Sequence, residues 1–533
     1  MRKHTNWIFI TLILISSIVL ILFAIPNSKA SGNIAKISMF EPDEGITIPV
    51  IQKMISPKES LKQFVYYFFA YQYYFYGFPH FGSSAFVLLI LQWFNQAQNL
   101  SLVMLSLRQI ISVLPMLLAL LILVYMQDRF KTYRSIVLFV LLLAVPGLVQ
   151  NGFWWHPDGL VLLLSTLVIY FLWRDDRKFG LSFFLAAVVC GVLIATKLVG
   201  AYFFLAVGMT VIWGIFKKEI SWKKAILKSI AFIVIMFVSF VISNPFLLLK
   251  GDRTLYFNIV QKQTLLLSEG YGIIYEKGLK GAWPLMHQYY GEAIFLITAI
   301  GVTIWGIWKK ETRFLHALIL TWFIPMTLSL LYFSHFKYQY WLPVAIPLFS
   351  NLVLLLPANK KEWGSKRIQQ ITRILLLAIV GIQMVLFVKQ STQLFIDRTN
   401  REKDNKEIAF YNLAMEQLEP IAPDPVYAYY DYRLYLPETE NWVAETSFDL
   451  LDYEFINSRD FDVLMLSYQR ILDYLNPSAT GIDPEAFAQN QAFYRDANEG
   501  KIEGYHLLFR NETALLYIRD DFCQVYFDPT TCQ

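Results

Sequence analysis

The sequence predicts a polytopic bundle of membrane helices followed by a soluble α/β domain. Three observations predict it. Apolar runs close to the roughly 20 residues that a bilayer span needs recur from the N-terminus to about residue 388. Of 533 residues, 56% are hydrophobic and only 16% are charged. The formal net charge of +5 conceals an asymmetry, with about +20 over residues 1–389 and about −15 over residues 390–533. The chain therefore reads as a membrane module over 1–389 and an outer soluble domain over 390–533. No nucleic-acid partner is needed to explain the positive part, because its charges fall in short connections between spans.

Spans are expected near 7–25, 101–126, 135–150, 159–173, 179–196, 199–216, 225–243, 290–308, 314–333, 340–357 and 372–388, about eleven in all. Alternate connections carry Lys and Arg: Arg2/Lys3, Arg129/Lys131/Arg134, Arg174/Arg177/Lys178, Lys217/Lys218/Lys223/Lys224, Lys309/Lys310/Arg313 and Lys360/Lys361/Lys366/Arg367. The positive-inside rule places these loops and the N-terminus in the cytoplasm, and the C-terminal domain outside. The first outer loop is then 26–100. Its apolar stretch 84–94 is too short to cross and is expected to lie at the interface. The opening apolar run, about 19 residues, exceeds the 7–15 of a signal-peptide core, so an uncleaved first span is expected.

In the C-terminal part, the segments PVYAYY, DVLMLSY, YHLLFRN and ALLYIRD read as strands. NREKDNKEIAFYNLAMEQL and PEAFAQNQAFYRDAN lie between or before them as helical or loop stretches. That alternation suggests a small α/β domain. Cys190 lies in a span as a packing residue. Cys523 and Cys532 lie in the outer domain, where oxidation would close a short loop. Asn511-Glu512-Thr513 matches a glycosylation sequon.

The chemistry centres on the first outer loop. Asp43 and Glu44 follow Pro42, which suits the first turn of a helix, where the dipole favours ionised carboxylates. A tyrosine-rich run, Tyr66 to Phe81, follows them. Arg108, Asp158 and Lys197 sit in or at the edge of spans, where ionisable groups are costly and point to function. Arg108 and Lys197, together with Lys337, supply positive charge suited to a phosphate. His80, His156 and His335 fall in outer loops. Solvated carboxylates, structural ion pairs, packing histidines and membrane-anchoring aromatics are the plain alternatives for each.

These items in this order resemble the GT-C superfamily of polyprenyl-phosphate-sugar-dependent glycosyltransferases. The resemblance is to the branch related to protein O-mannosyltransferases and the aminoarabinose transferase of lipid A, and it covers nearly the whole chain. The matching residues are Glu41-Pro42-Asp43-Glu44, Tyr76-Gly77-Phe78-Pro79-His80-Phe81, Arg108, Pro157-Asp158, Thr196-Lys197, Asn244-Pro245-Phe246, and Lys337-Tyr338 through Trp341-Leu342-Pro343. Two departures stand out. Gly45-Ile46 follows the acidic pair where the family has Ala and an aromatic, and a single Pro79 with His80 replaces a double Pro.

The resemblance implies a GT-C helix bundle and an inverting transfer from a polyprenyl-phosphate-linked sugar to a hydroxyl acceptor. The acceptor could be protein, lipid or glycan. Asp43 would be the base, with Glu44 beside it. Arg108, Lys197, Lys337, Asp158, His80, His156 and Tyr338 would contact the donor phosphate or substrate. No cluster has metal-ligand spacing, so no cofactor is expected to be required, although some GT-C enzymes use a divalent cation. The expected location is a prokaryotic plasma membrane. Two other classes fit parts of the pattern. A flippase for a lipid-linked sugar would explain the intramembrane charges, but such transporters often show internal repeats and none is found. A non-catalytic scaffold with an acidic outer domain would leave Asp43→Asn silent.

Overall fold

A computed structural model describes residues 2–270, 272–357, 367–421, 425–437, 439, 441–447 and 451–527. The chain forms two compact units. The larger contains Met1–Ser28, Val50–Thr264 and Lys277–Thr399; the smaller contains Lys29–Pro49, Leu265–Glu276 and Asn400–Gln533. The last helix of the larger unit keeps going past the expected end at 388 and reaches Asn400. Two inserts also group with the smaller unit, one of them carrying the acidic pair. Their sequences gave no composition shift that would have assigned them.

The chain opens with α1 (Arg2–Asn27), α2 (Ile34–Phe40), α3 (Pro42–Ile55), α4 (Leu61–Phe69) and α5 (Phe78–Trp93). Next are α6 (Leu100–Leu107), a π-helical turn (Arg108–Val113) and α7 (Leu114–Asp128), which together make one long apolar rod. Then come α8 (Arg134–Leu143), α9 (Pro146–Asn151), α10 (Asp158–Asp175), α11 (Leu181–Thr196), α12 (Phe204–Phe216), α13 (Trp222–Ser243) and α14 (Lys250–Glu269). α15 (Gly278–Tyr290), α16 (Ala293–Trp308), α17 (Arg313–Tyr332), α18 (Tyr338–Ser350) and α19 (Arg367–Asn400) complete the series. Prolines punctuate it as expected: Pro42 and Pro146 stand at the first helical positions, where no N–H is missed.

Each expected span has a helical counterpart. Among the described residues, however, only seven helices are long and apolar enough to cross a bilayer, or eight if α15 and α16 count as one. α8 stops at Leu143 because Pro146 starts a new helix, and α11 is only 16 residues long. The α15–α16 pair bends by 84°. Gly291 makes the bend with φ +102, and a Cβ there would lie 2.8 Å from the Gln383 side chain. The loop expected over 245–288 is largely helical, as α14 and the first turns of α15. α5 reaches 16 residues, still short of a span, and exposes Phe86 and Trp93. Lys360, Lys361 and Lys366 lie outside the described residues.

α10 packs against α7, α11, α17 and α18 and so lies at the centre of the larger unit. Its neighbours bury Leu120, Leu162, Val168, Leu193, Leu318 and Trp322. By contrast α13 exposes Ile226, Leu227, Ile230, Ile233, Phe237 and Ile242. A continuous apolar outer surface of this kind suits lipid and would be costly in water. The chain is an integral membrane protein.

The smaller unit has α20 (Lys406–Gln417) and a five-stranded sheet: β1 (Val426–Tyr430), β2 (Trp442–Glu445), β3 (Val463–Ser467), β4 (Tyr505–Arg510) and β5 (Ala514–Arg519). The strand order is β2-β1-β3-β5-β4, with β1 parallel to β2 and β3, and β5 antiparallel to β3 and β4. The four expected strands are present. β2 was missed because only four residues long, WVAE gives no alternation to read. The helix Pro484–Glu499 is capped by Asp483, which accepts from Glu485 and Ala486 N–H, and is closed by Gly500 at φ +76. Apolar residues line both faces of β3 and β5, so the sheet has a core on each side. The Cys523–Cys532 pairing lies outside the described residues because Cys532 does.

A buried ion pair orders this sheet. Asp431, directly after β1, accepts the Ser467 N–H at 2.8 Å and lies 3.8 Å from the Arg470 guanidinium. Burial raises the Asp431 carboxyl above its usual range, and the Arg470 charge opposes that rise. Asp431→Asn is expected to destabilise the smaller unit by roughly 2 kcal/mol, since it weakens a charged hydrogen-bonded contact. Hydrogen exchange of the full chain should show faster exchange at β3 and β5 amides and no change in α10.

Candidate active site

In the larger unit the site is built at the start of α10. Pro157 ends an aromatic loop and Asp158 occupies the first turn, where the helix dipole favours a carboxylate. Asp158 is 1% exposed and needs compensation for its burial. It has two partners. Lys197 Nζ lies 2.7 Å from Oδ1, and His156 Nδ1 contacts Oδ2. Lys197 is free to reach it because α11 ends at Thr196 and the chain turns extended at Lys197. The Lys197 ammonium also lies over the Tyr340 ring, 4.3 Å from its centre, a cation–π contact.

His156 continues the chain of contacts. Its Nε2 pairs with Tyr76 Oη at 2.7 Å, and Trp154 stacks on its ring at 4.3 Å. With Nδ1–H facing Asp158, Nε2 is the acceptor and the tyrosine donates. His80 stacks on Trp155 at 5.3 Å, and Trp155 Nε1–H donates to Ser84 Oγ at 2.8 Å. Burial pushes the His80 imidazole down to about 3, with the Lys197 charge adding to the effect, so it is neutral. His80 Nδ1 and Trp154 Nε1 are buried with no partner among the described residues.

Three of the sequence motifs meet in one knot beside this cluster. Gly77 N–H donates to Thr196 O at 3.3 Å, and Phe78 N–H donates to Asn244 Oδ1 at 2.9 Å. Asn244 Nδ2–H donates to Ala195 O at 3.3 Å. A Cβ on Gly77 would lie 1.5 Å from Ala195 O, so only glycine fits. The knot sets Tyr76 on one side of Gly77 and Lys197 next to Thr196. Gly77→Ala is expected to destabilise the larger unit by roughly 3 kcal/mol, because backbone must move. Asn244→Ala should cost about 1–3 kcal/mol by leaving the Phe78 N–H unpaired. Apparent melting temperatures at a fixed scan rate would rank the two. Equal stability of Gly77→Ala and wild type would refute this packing.

The other expected donor-site residues divide. Tyr338 stacks on Tyr289 at 4.3 Å, and its carbonyl accepts from Tyr290 Oη at 2.7 Å. Lys337 caps the same helix, α18, and is half-buried three residues before Tyr340. Burial and the Lys337 charge push His335 down to about 4. Arg108 was expected at the donor phosphate. It is fully buried in the π-helical turn and donates Nη1–H to Asn27 O at 2.8 Å, the last residue of α1. Such a contact satisfies a carbonyl at a helix C-terminus. Tyr76 and Trp154 are the residues that sequence reasoning undervalued. Each stood in a motif or loop, but nothing in the sequence paired either with His156, which is 80 residues from Tyr76.

In the smaller unit, the acidic motif begins α3. Glu41 pairs with Arg401 at 3.2 Å, and Arg401 covers the Phe40 ring. Lys36 pairs with Glu402 at 3.2 Å, and Asn33 Nδ2–H donates to Tyr435 Oη at 3.2 Å. These contacts tie the 29–49 insert to the C-terminal part of its own unit. Glu44 is fully buried. Asp43 is half-buried, and its carboxylate has no partner among the described residues; only its backbone carbonyl is used, accepting from Thr47 Oγ1 at 2.7 Å. The departure at Gly45 has a steric cause, since a Cβ there would lie 2.1 Å from Ser38 Oγ. Among the described residues, no group of three or more His, Cys, Asp or Glu side chains could hold a metal ion.

No family model matches the chain, and no characterised protein matches it by sequence. Solved structures do resemble it. ArnT from Cupriavidus metallidurans bound to undecaprenyl phosphate aligns with a TM-score of 0.52 at 12% identity, covering 96% of this chain and 98% of that one. The same protein in the apo state gives 0.48 at 12% identity, over 99% and 100% of the two chains. The Archaeoglobus fulgidus oligosaccharyltransferase in complex with Zn and sulfate gives 0.46 at 10% identity, over 82% and 70%. The first of these likenesses defines the architecture: the chain has the GT-C fold. That is the fold that the motif order resembles, and it spans both the helix bundle and the C-terminal part.

Proposed function

We propose that the chain is a glycosyltransferase that takes a sugar from a lipid-phosphate-linked donor, a polyprenyl phosphate, and attaches it to a hydroxyl acceptor. The observation that carries this reading is the Asp43 carboxylate. It is half-buried at a helix N-terminus, where the dipole favours a carboxylate, and uncommitted to any protein partner among the described residues. A carboxylate in that state can take the proton of an acceptor hydroxyl. The GT-C fold supports the reading, and the aligned ArnT structure holds undecaprenyl phosphate.

In this reading the reaction is a single displacement with inversion. Asp43 removes the acceptor proton, the acceptor oxygen bonds to the anomeric carbon, and the sugar–phosphate bond breaks. The lipid phosphate leaves with the electron pair. Lys197, with Lys337 and Tyr338 from the adjoining segment, stabilises that charge. Asp158 and His156 hold the ammonium in place, and the unpartnered nitrogens of His80 and Trp154 suit sugar hydroxyls. Glu44 supports Asp43 from the same turn. Arg108 is assigned to holding α1 rather than the donor. Whether the sugar is a hexose or pentose is left to experiment. The lysine-rich loops favour a cytoplasmic N-terminus and an extracytoplasmic reaction in a prokaryotic plasma membrane. No metal is required in this mechanism.

The test is transfer from a radiolabelled polyprenyl-phosphate-sugar pool in membranes containing the full chain, with and without chelator. Label should move to an acceptor fraction, and the chelator should not change its rate. A chain that binds the labelled carrier but never releases its sugar would overturn the transferase reading in favour of transport.

A further inference from the structure

A cleft lined by none of these groups opens elsewhere in the larger unit. It has a volume of about 710 Å³ and lies along α12, lined by Phe204, Gly208, Ile212 and Phe216 at fourfold spacing, with Lys217 at one end and Thr321 of α17 on the far wall. Fourfold spacing on a helix makes a single continuous stripe. The stripe would ordinarily fill itself, but Gly208 has no side chain, and a Cβ there would meet nothing within 4 Å. The 13 residues of α12 rise roughly 20 Å, which is about two-thirds of a bilayer's hydrocarbon core. A cleft of that length suits an acyl chain of one leaflet better than a far longer polyprenyl chain.

Its polar end is basic. Lys217 and Lys218 are exposed and have no ion-pair or hydrogen-bonded side-chain partner among the described residues. The neighbouring Arg177 covers the Trp213 ring at 5.5 Å and is already paired with Glu219 at 2.8 Å. The Lys217 ammonium therefore stands at one end of an otherwise apolar cleft, with Lys218 next to it in the chain. Apolar walls with a cationic end complement a lipid with an anionic headgroup. A zwitterionic headgroup would leave that charge unmatched.

We infer that the cleft between α12 and α17 is a binding site for an anionic glycerophospholipid, with one acyl chain along the Gly208 stripe and the phosphate at Lys217 and Lys218. Gly208→Phe adds bulk to the stripe at a position where a Cβ meets nothing within 4 Å, and replacing a helical glycine favours the helix, so the variant should fold. Lys217→Glu/Lys218→Glu reverses the charge at exposed positions and should fold too.

The experiment uses the full chain in neutral detergent micelles. Binding is followed by native mass spectrometry and by thermal shift, with phosphatidylglycerol, phosphatidylcholine or undecaprenyl phosphate added. The wild type is expected to retain phosphatidylglycerol and to be stabilised by it more than by phosphatidylcholine. Charge reversal should weaken phosphatidylglycerol binding by roughly fivefold per lysine. Gly208→Phe should remove the lipid adduct while circular dichroism stays unchanged. Equal shifts with both glycerophospholipids, or a phosphatidylglycerol shift that survives both variants, would overturn the inference. So would binding of undecaprenyl phosphate alone that is lost in Gly208→Phe, which would assign the cleft to the carrier. A dimer lost in Gly208→Phe without any lipid shift would assign it to a second copy and overturn the inference as well.

Discussion

Asp43→Asn is expected to lower sugar transfer by about two to four orders of magnitude, the usual contribution of a positioned general base. The substitution is nearly isosteric. The Asp43 side chain holds no hydrogen bond or ion pair among the described residues, so its loss breaks nothing in the fold. Only the interaction with the helix dipole is given up, worth roughly 0.3–1 kcal/mol. Expression and melting should therefore match the wild type, and binding of the lipid-linked donor should be retained. The measurement is initial transfer rate at matched membrane abundance, with donor binding read in parallel. Wild-type rates in Asp43→Asn would remove Asp43 as the base and restore the scaffold reading. Loss of rate together with loss of folding would be a structural result, and Asp43→Glu, which keeps the carboxylate, would then be compared for partial rescue.

Asp158→Ala is expected to have the largest effect on stability, about 3–5 kcal/mol, the range for breaking a buried pair by removing one partner. It strands the Lys197 ammonium, whose remaining contact among these is the Tyr340 ring, and it removes the group that orients His156. The double variant Asp158→Ala/Lys197→Ala should be more stable than the sum of the single losses implies, because it leaves no buried unpaired charge. Residues in contact of this kind couple by roughly 0.5–3 kcal/mol. Apparent melting midpoints of the four proteins in one detergent would measure the coupling. Additive losses would mean that Lys197 and Asp158 are not partners in the folded protein. Lys197→Arg adds a functional readout: it keeps the charge but changes its geometry, so it should raise KM for the lipid-linked donor more than it lowers stability.

Much of the architecture was legible because its physical signals are local. A bilayer span shows as a run of apolar residues, so every expected span has a helix. A sheet strand such as DVLMLSY shows as a β-branched and aliphatic run, so four of the five strands were foreseen. Less was legible where tertiary packing overrides a local pattern. Pro146 and Gly291 split runs that are continuous in hydropathy, and the 29–49 insert joins the smaller unit through Lys36–Glu402 and Glu41–Arg401, contacts more than 350 residues apart in sequence. Arg108 illustrates the same limit. Its charge within a span was a sound reason to suspect function, and one of its contacts is the carbonyl of Asn27, a destination no spacing rule reveals.

By itself the sequence determined that the chain enters a membrane, that its C-terminal part is a charged α/β domain, and which residue types stand where chemistry is expected. Those properties follow from transfer free energy and periodicity, which each segment carries on its own. Only the tertiary structure decided which of those residues lie together. It joined Tyr76, His156, Asp158 and Lys197 into one line of polar contacts and tied Gly77 to the end of α11. It also left the Asp43 carboxylate uncommitted. A buried charge must be matched by whatever the fold brings within reach, and that partner is chosen by packing across the whole bundle.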